Sequence, residues 1–499
     1  MEVPLLLEMA AGSEPDRVAI ASPDGAVSYH EALARARAVA AWLRGQPAER
    51  LVYVGLNGAD FPVALFAAGV AGVAFVPLNY RLSDIDLRRL LARSAPAVAI
   101  IDEDMVSRIG EVDGIVLLPR DMLATIAIDP AWREIELAPA ETEIAVLLFT
   151  SGTTGDPKAA VLRHSNLTSY VISTVEFMGA DDGEAALISV PPYHIAGISA
   201  VLTGIYNGRK LVYLPAFTAE SWVETVARER VTHAMVVPTM LGRILDVIET
   251  GGMVLPALRA LSYGGGRMPL PVIERAMALL PDVDFVNAYG LTETSSTIAI
   301  LGPEDHRSAI ASDNPAVRRR LGSVGRPLPT LELEIRDGAG AVCPPGSVGE
   351  VHVRGEQVSG EYLGKSMLTA DGWFPTNDSG FLDEEGYLFV EGRLDDVIVR
   401  GGENISPGEV EDVLRLHPDI RDVAVFGVPD DQWGERVAAV VVPSDNPPTS
   451  AALAEWVRAR LRSTKTPESW AYRDALPYND AGKLLRRVLK AEFSPSLTA

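Results

Sequence analysis

Short apolar runs of two alternating kinds organise the first hundred positions. Residues 51–56 form a brief apolar run that stops at Asn57-Gly58, the pattern of a buried strand followed by a turn. Residues 61–71 are apolar and rich in alanine, which suits a buried helix. Residues 74–77 read as a second strand. Ser83 can cap a helix reaching Leu91, and Asp84 and Asp86 favour the N-terminal end of that helix. Residues 98–101 return to strand. Such alternation predicts α/β layers.

The same rhythm continues, with strand patterns at 186–190, 211–214 and 234–237 and helical patterns at 221–230 and 240–249. From residue 331 the texture changes to short strands between Gly/Pro turns, at 331–336, 349–353 and 387–390, which predicts a small β-rich subdomain. A boundary is expected at Gly392-Arg393-Leu394-Asp395-Asp396. Beyond it, 397–400, 423–428 and 437–442 read as strands, and 407–416 and 450–461 as helices. The expected organisation is therefore an α/β region over residues 1–392, built of several layered subdomains, and a smaller α+β domain over 393–499.

A length of 499 residues allows roughly three domain-sized units with large cores. Charge narrows the partners: 44 basic against 67 acidic residues leave a net −23, which disfavours nonspecific binding to nucleic acid or anionic membrane. Any anionic ligand then needs dedicated residues. The single cysteine, Cys343, excludes an intramolecular disulfide and a cysteine-rich zinc site. Residues 1–11 carry an apolar patch without a basic start, so no secretory signal is expected. The run 61–76 is interrupted by Gly69 and Gly72 and is too short for a transmembrane span, and a cytoplasmic location is expected.

Leu147 to Lys158 reads LLFTSGTTGDPK. An apolar strand ends there in small and hydroxylated residues. Gly152 and Gly155 let the backbone approach a polyanion, Thr150, Ser151, Thr153 and Thr154 offer hydroxyl and amide donors, and Lys158 offers charge. This is phosphate-binding chemistry without the GxxxxGK[ST] spacing of a Walker A loop. Downstream, Asn287-Ala288-Tyr289-Gly290-Leu291-Thr292-Glu293 follows a strand pattern. Thr292 can donate to phosphate, and Glu293 is a hard oxygen ligand suited to Mg²⁺. Gly264-Gly265-Gly266 permits a flat object to lie against the backbone. In Trp373-Phe374-Pro375-Thr376-Asn377-Asp378, the aspartate can accept from both hydroxyls of a ribose.

The loop and the YGxTE string resemble the signatures of the adenylate-forming superfamily, which includes acyl-CoA synthetases, luciferases and peptide-synthetase adenylation domains. Further motifs follow in that family's order over nearly the entire chain. Its PxxH loop resembles Pro191 to Gly197, with His194 bordering the acyl pocket; its hinge motif resembles Gly392 to Asp396; its thiol-tunnel loop resembles Gly401-Gly402-Glu403-Asn404-Ile405-Ser406-Pro407; its terminal motif resembles Asn479 to Arg487. The resemblance implies ATP, Mg²⁺ and coenzyme A as ligands and a small carboxylic acid as substrate. It places adenine against Gly264–Gly266 and the ribose or phosphate near Arg393. Lys483 would stabilise charge during adenylation, and Asp395 would be the hinge of a mobile C-terminal lid. The implied acid pocket is lined by Tyr193, His194, Gly197, Val237, Met240, Gly264, Gly290, Leu291 and Ser296.

One departure stands out: the family has glycine where this chain has Asn377, a residue that tolerates the left-handed conformation better than most. The resemblance leaves the acid open between fatty, alicyclic and aromatic types, the last as in o-succinylbenzoate–CoA ligases. Other readings are an enzyme that loads a separate carrier protein, luciferase-like oxidation, and a non-catalytic nucleotide-binding protein. Retention of both Lys483 and Glu293 argues against the last.

Overall fold

The computed structural model describes residues 1–22, 25–135, 142–150, 157–478 and 484–493. Two large sheets carry the N-terminal region. One has eight strands, with a parallel centre formed by Arg50–Val54, Ala74–Pro77, Ala97–Ile101, Ile115–Pro119 and Ile144–Thr150. The other has nine, with a parallel centre that includes Ala185–Ile188, Lys210–Tyr213, His233–Val236, Ala260–Gly264 and Asp284–Leu291.

Side-chain alternation along the strands explains why the runs look uniformly apolar. Leu51 and Tyr53 enter a central core that also holds helices Val3–Ser13, Tyr29–Arg44, Asp60–Ala71 and Ile195–Asn207 and residues of the second sheet. Val52 and Val54 point the other way, onto helices Asp84–Arg93 and Glu103–Ile109. A strand buried on both faces has no polar side to display. The outer face of the nine-stranded sheet is covered by Ala219–Arg228, Pro238–Gly251 and Leu270–Leu279. The result is helix, sheet, helix, sheet, helix in five layers. Ser83 caps its helix as expected, accepting from the Asp86 amide.

A four-stranded antiparallel sheet, Glu332–Arg336, Gly349–Arg354, Phe374–Leu382 and Leu388–Arg393, adjoins this block. The chain leaves it through a single turn, Leu394–Asp396, and enters a five-stranded sheet that begins at Ile398. That sheet is again buried on both faces: Val423 and Val425 face one core, Ala424 and Phe426 the other. The helix Pro407–Arg415 touches the N-terminal region, where Arg267 pairs with Asp412 and the Ser406 hydroxyl donates to the Glu391 carbonyl at 3.0 Å. Burial pushes the carboxyls of Asp412 and Glu391 upward. Among the described residues, no helix is long and apolar enough to cross a membrane.

Candidate active site

Adjacent parallel strands deliver the site from their carboxyl ends, the edge at which open α/β sheets bind ligands. Val237 follows His233–Val236, and the glycine triplet begins at the end of Ala260–Gly264. The segment Pro191 to His194 lies just beyond Ala185–Ile188, and His194 is the N-cap residue of helix Ile195–Asn207. These pieces touch. A Cβ on Gly264 would fall 2.3 Å from the Ala288 carbonyl oxygen, so the strands can pair this closely only through glycine. Gly265 lies against Val237, and Gly290 against the Ser296 backbone. The Ser296 hydroxyl donates to Ser199 at 3.2 Å, joining this turn to the helix after His194. His194 packs on Tyr193, with ring centroids 4.8 Å apart. Met240 is buried where helix Pro238–Gly251 begins. Arg243 on the same helix is exposed and lies over Phe217.

The sequence pattern ended the strand before Tyr289 at Val286, but the strand runs through Leu291. It pairs antiparallel with Ser296–Leu301 across a register shift between Tyr289 and Gly290. A Cβ on Gly290 would meet the Ser296 oxygen at 1.8 Å, so the glycine serves close strand approach rather than a free turn. Ser295 and Ser296 have φ of 56° and 119°, a local strain beside Gly290.

A polar cluster gathers beside this wall. Tyr289 donates to Asp378 at 2.6 Å, and Arg393 donates to the other carboxylate oxygen at 3.0 Å. Burial, together with the charge and hydrogen bond of Asp378, holds the Tyr289 phenol well above its ordinary range. Burial opposes the charge of Arg393, yet Asp378 outweighs it and the guanidinium is held more firmly charged than usual. Each Asp378 oxygen keeps a second lone pair, so the carboxylate can still accept from two hydroxyls. Asn287 is tied by its side chain to the Ser323 carbonyl at 3.0 Å.

Asn377 adopts φ 61°, so the left-handed turn survives the loss of the family glycine. Its side-chain amide donates to Asp395 at 2.9 Å, which places it directly on the turn between the two sheets.

Glu293 and Thr292 lie in the short turn Thr292–Thr294, and Glu293 is buried. The Tyr362 hydroxyl donates to the Glu293 carboxylate, and the Tyr362 ring lies 5.5 Å from the Lys158 ammonium. Burial and the adjacent Glu293 charge raise the Tyr362 phenol. Lys158 opens strand Lys158–Arg163, directly opposite Thr150 on Ile144–Thr150. These two positions frame Ser151, Gly152, Thr153, Thr154 and Gly155, which lie outside the described residues, as does Lys483. Gly401 and Gly402 form an exposed turn with φ of 57° and 85°, and Gly401 packs on Trp433.

Among the described residues there is no group of three or more metal-ligating side chains. A buried carboxylate beside the hairpin that carries Thr150 and Lys158 suits Mg²⁺, which takes one or two carboxylates and completes its shell with phosphate and water oxygens. Sequence reasoning missed Tyr362. It sits in a Gly-Glu-Tyr-Leu-Gly string with no local mark of function, and its partners are far away along the chain.

A layered α/β body, a glycine-lined wall and a carboxylate–arginine–tyrosine cluster beside a hydroxyl-rich hairpin define a nucleotide-binding, adenylate-forming site. The AMP-binding enzyme family matches residues 7–363, and the AMP-binding enzyme C-terminal domain matches residues 409–483. The chain belongs to that family. It is 33% identical to a feruloyl-CoA synthase from Amycolatopsis sp., covering 97% of each chain. It is 30% identical to a fatty acid–[acyl-carrier-protein] ligase from Streptomyces coeruleorubidus, covering 97% of this chain and 95% of that one. Among solved structures, it superposes on the o-succinylbenzoate CoA synthetase from Bacillus subtilis, bound to its acyl-adenylate intermediate, with a TM-score of 0.83. That pair shares 30% identity, and 97% of each chain is covered.

Proposed function

We propose that this chain is an AMP-forming acid–thiol ligase that activates a carboxylic acid with an apolar alkyl or aryl body and passes it to coenzyme A. The observation that carries the reading is the wall running from His194 through Ser199, Ser296 and Gly290 to Gly264 and Val237. The mostly small and apolar residues of that wall support an acid site beside the Asp378–Arg393 pair and the Glu293–Tyr362–Lys158 contacts. Arg243 is exposed and lies over Phe217, and this placement supports a monocarboxylate over an acid with a second carboxyl group.

In the first half-reaction a carboxylate oxygen bonds to the α-phosphorus of ATP, the bond to the bridging oxygen breaks, and pyrophosphate leaves. Asp378 holds the ribose, and Gly264–Gly266 and Ala288 take the adenine. The hairpin of Thr150 to Lys158 holds the phosphates with Thr292. Mg²⁺ bound at Glu293 supplies neutralising charge on the phosphate oxygens. Lys483 adds positive charge where the pentavalent phosphorus develops negative charge. An ionised carboxylate needs no base, so His194 borders and positions the acid.

In the second half-reaction the thiol sulfur bonds to the acyl carbon and AMP departs. Before that attack, residues 393–499 reorient about Asp395, withdraw Lys483 and present the Gly401–Gly402 turn, so one pocket serves two chemistries. A cytoplasmic location accords with the supply of ATP and coenzyme A. The test is pyrophosphate release across a panel of fatty, alicyclic and aromatic acids. Release with an apolar monocarboxylate supports the reading, and release restricted to dicarboxylates rejects the pocket assignment.

A further inference from the structure

Tyr362 belongs to no motif that sequence reasoning singled out, yet it bridges two elements that must act on one polyphosphate. It lies in the two-residue strand Glu361–Tyr362, which pairs with Ala160 on the strand that Lys158 opens. The next amide, of Leu363, donates to the Ala159 carbonyl at 2.9 Å. Arg163 pairs with the neighbouring Glu361 at 3.1 Å. The backbone of Tyr362 is thus fixed to the phosphate hairpin. Its ring faces the Lys158 ammonium, and its hydroxyl donates to Glu293.

The Glu293 backbone is anchored separately. Its carbonyl accepts from the amides of Ser359 and Gly360 at 2.9 and 3.0 Å and from the Ser359 hydroxyl at 3.1 Å. Gln357 clamps the following turn through the carbonyls of Thr294 and Thr297. The division of labour is clear: residues 357–360 fix where the Glu293 backbone sits, and Tyr362 fixes where its carboxylate points. Among the described residues, Tyr362 is the side chain that donates to that carboxylate.

We propose that Tyr362 is a positioning residue for nucleotide-bound Mg²⁺, aiming the Glu293 carboxylate with its hydroxyl and the Lys158 ammonium with its ring. The inference rests on the reading of Glu293 as the metal ligand. Mg²⁺ demands near-ideal octahedral geometry, and a hydrogen bond to the outer side of a ligand sets the direction from which that ligand approaches. A glutamate has three rotatable bonds, so without such a partner its carboxylate samples many directions. A lysine above an aromatic face is similarly confined.

The test is calorimetric titration of the full chain with α,β-methylene ATP, with no acid present, over a series of Mg²⁺ concentrations. Tyr362→Phe removes the hydroxyl and keeps the ring. Expected is unchanged affinity without Mg²⁺, and a rise of about tenfold or more in the Mg²⁺ concentration that gives half the metal-dependent gain. Tyr362→Leu should also weaken metal-free binding, because Lys158 loses its ring. Glu293→Gln is the reference that abolishes the Mg²⁺ response. If Tyr362→Phe responds to Mg²⁺ like the wild type while Glu293→Gln does not respond, the role assigned to Tyr362 is wrong and that of Glu293 stands. If Glu293→Gln keeps the full response, the metal reading itself fails. An equal loss with and without Mg²⁺ in Tyr362→Phe also overturns the proposal, since it marks general damage to the pocket.

Discussion

Replacing Asn377 with glycine isolates one contact between the four-stranded antiparallel sheet and the turn that leads to the C-terminal sheet. The residue sits at φ 61°, a conformation glycine adopts freely, so the backbone meets no new strain. Its amide nitrogen donates to Glu350 at 2.9 Å, and glycine retains that bond. What disappears is the side-chain hydrogen bond to Asp395 at 2.9 Å. The contact is exposed but has a charged acceptor, so its net worth is about 1 kcal/mol, roughly a fivefold population ratio. On the proposed alternation between two lid orientations, Asn377→Gly should move the balance away from the orientation described here by about that factor. Asn377→Asp should move it further, because two carboxylates would then face each other. Single-molecule energy transfer between dyes at Glu220→Cys and Glu455→Cys, both on exposed surface, reads the two populations once Cys343 is changed to serine. Identical distributions in the wild type and Asn377→Gly would refute the coupling. A shift of Asn377→Asp toward the orientation seen here would refute its electrostatic basis.

Other consequences are equally direct. His164 is buried beneath helix Val3–Ser13, its Nδ1 accepting from the Val3 amide at 3.1 Å, and burial pulls its pKa down to about 4. Because the folded value lies below the unfolded one, the associated stability is complete above about pH 6.5 and lost as pH falls toward 4. His164→Gln should remove up to roughly 3 kcal/mol of that acid sensitivity. Urea midpoints of both proteins from pH 7 to pH 4 measure it, and parallel curves would reject it. Tyr289→Phe strips Asp378 of a buried donor and should weaken AMP binding about tenfold, read by calorimetry; unchanged affinity would detach Asp378 from the ribose. Lys483→Ala should lose acid-dependent pyrophosphate release while still converting a supplied acyl-adenylate to thioester. Equal loss of both steps would contradict the division of roles.

Most of the layered core was legible because strands buried on both faces leave unbroken apolar runs, as at Arg50–Val54 and Ala97–Ile101, and because Ser83 and its two aspartates mark a helix start in a purely local code. The end of strand Asp284–Leu291 was not. Tyr289-Gly290-Leu291 looks like a turn until the antiparallel partner at Ser296–Leu301 is known, and only then does the glycine show its use as a point of close approach. The same limit applied within the site. Asp378 and Glu293 carry chemistry that their residue types announce. Tyr362 and the Asn377–Asp395 contact depend on partners brought together by sheet pairing, and no local pattern encodes them. The substitution at Asn377 was visible as a departure, but its consequence required the geometry.

The most direct measurement of the proposed chemistry uses carboxyl-¹⁸O-labelled acids with ATP, Mg²⁺ and coenzyme A, analysed by mass spectrometry. An acyl-adenylate route requires a coenzyme A thioester and one ¹⁸O atom carried into AMP, because the carboxylate oxygen that attacks the α-phosphorus leaves with it. Thioester formed with unlabelled AMP, or no adenylate and no thioester with any acid of the panel, would contradict it.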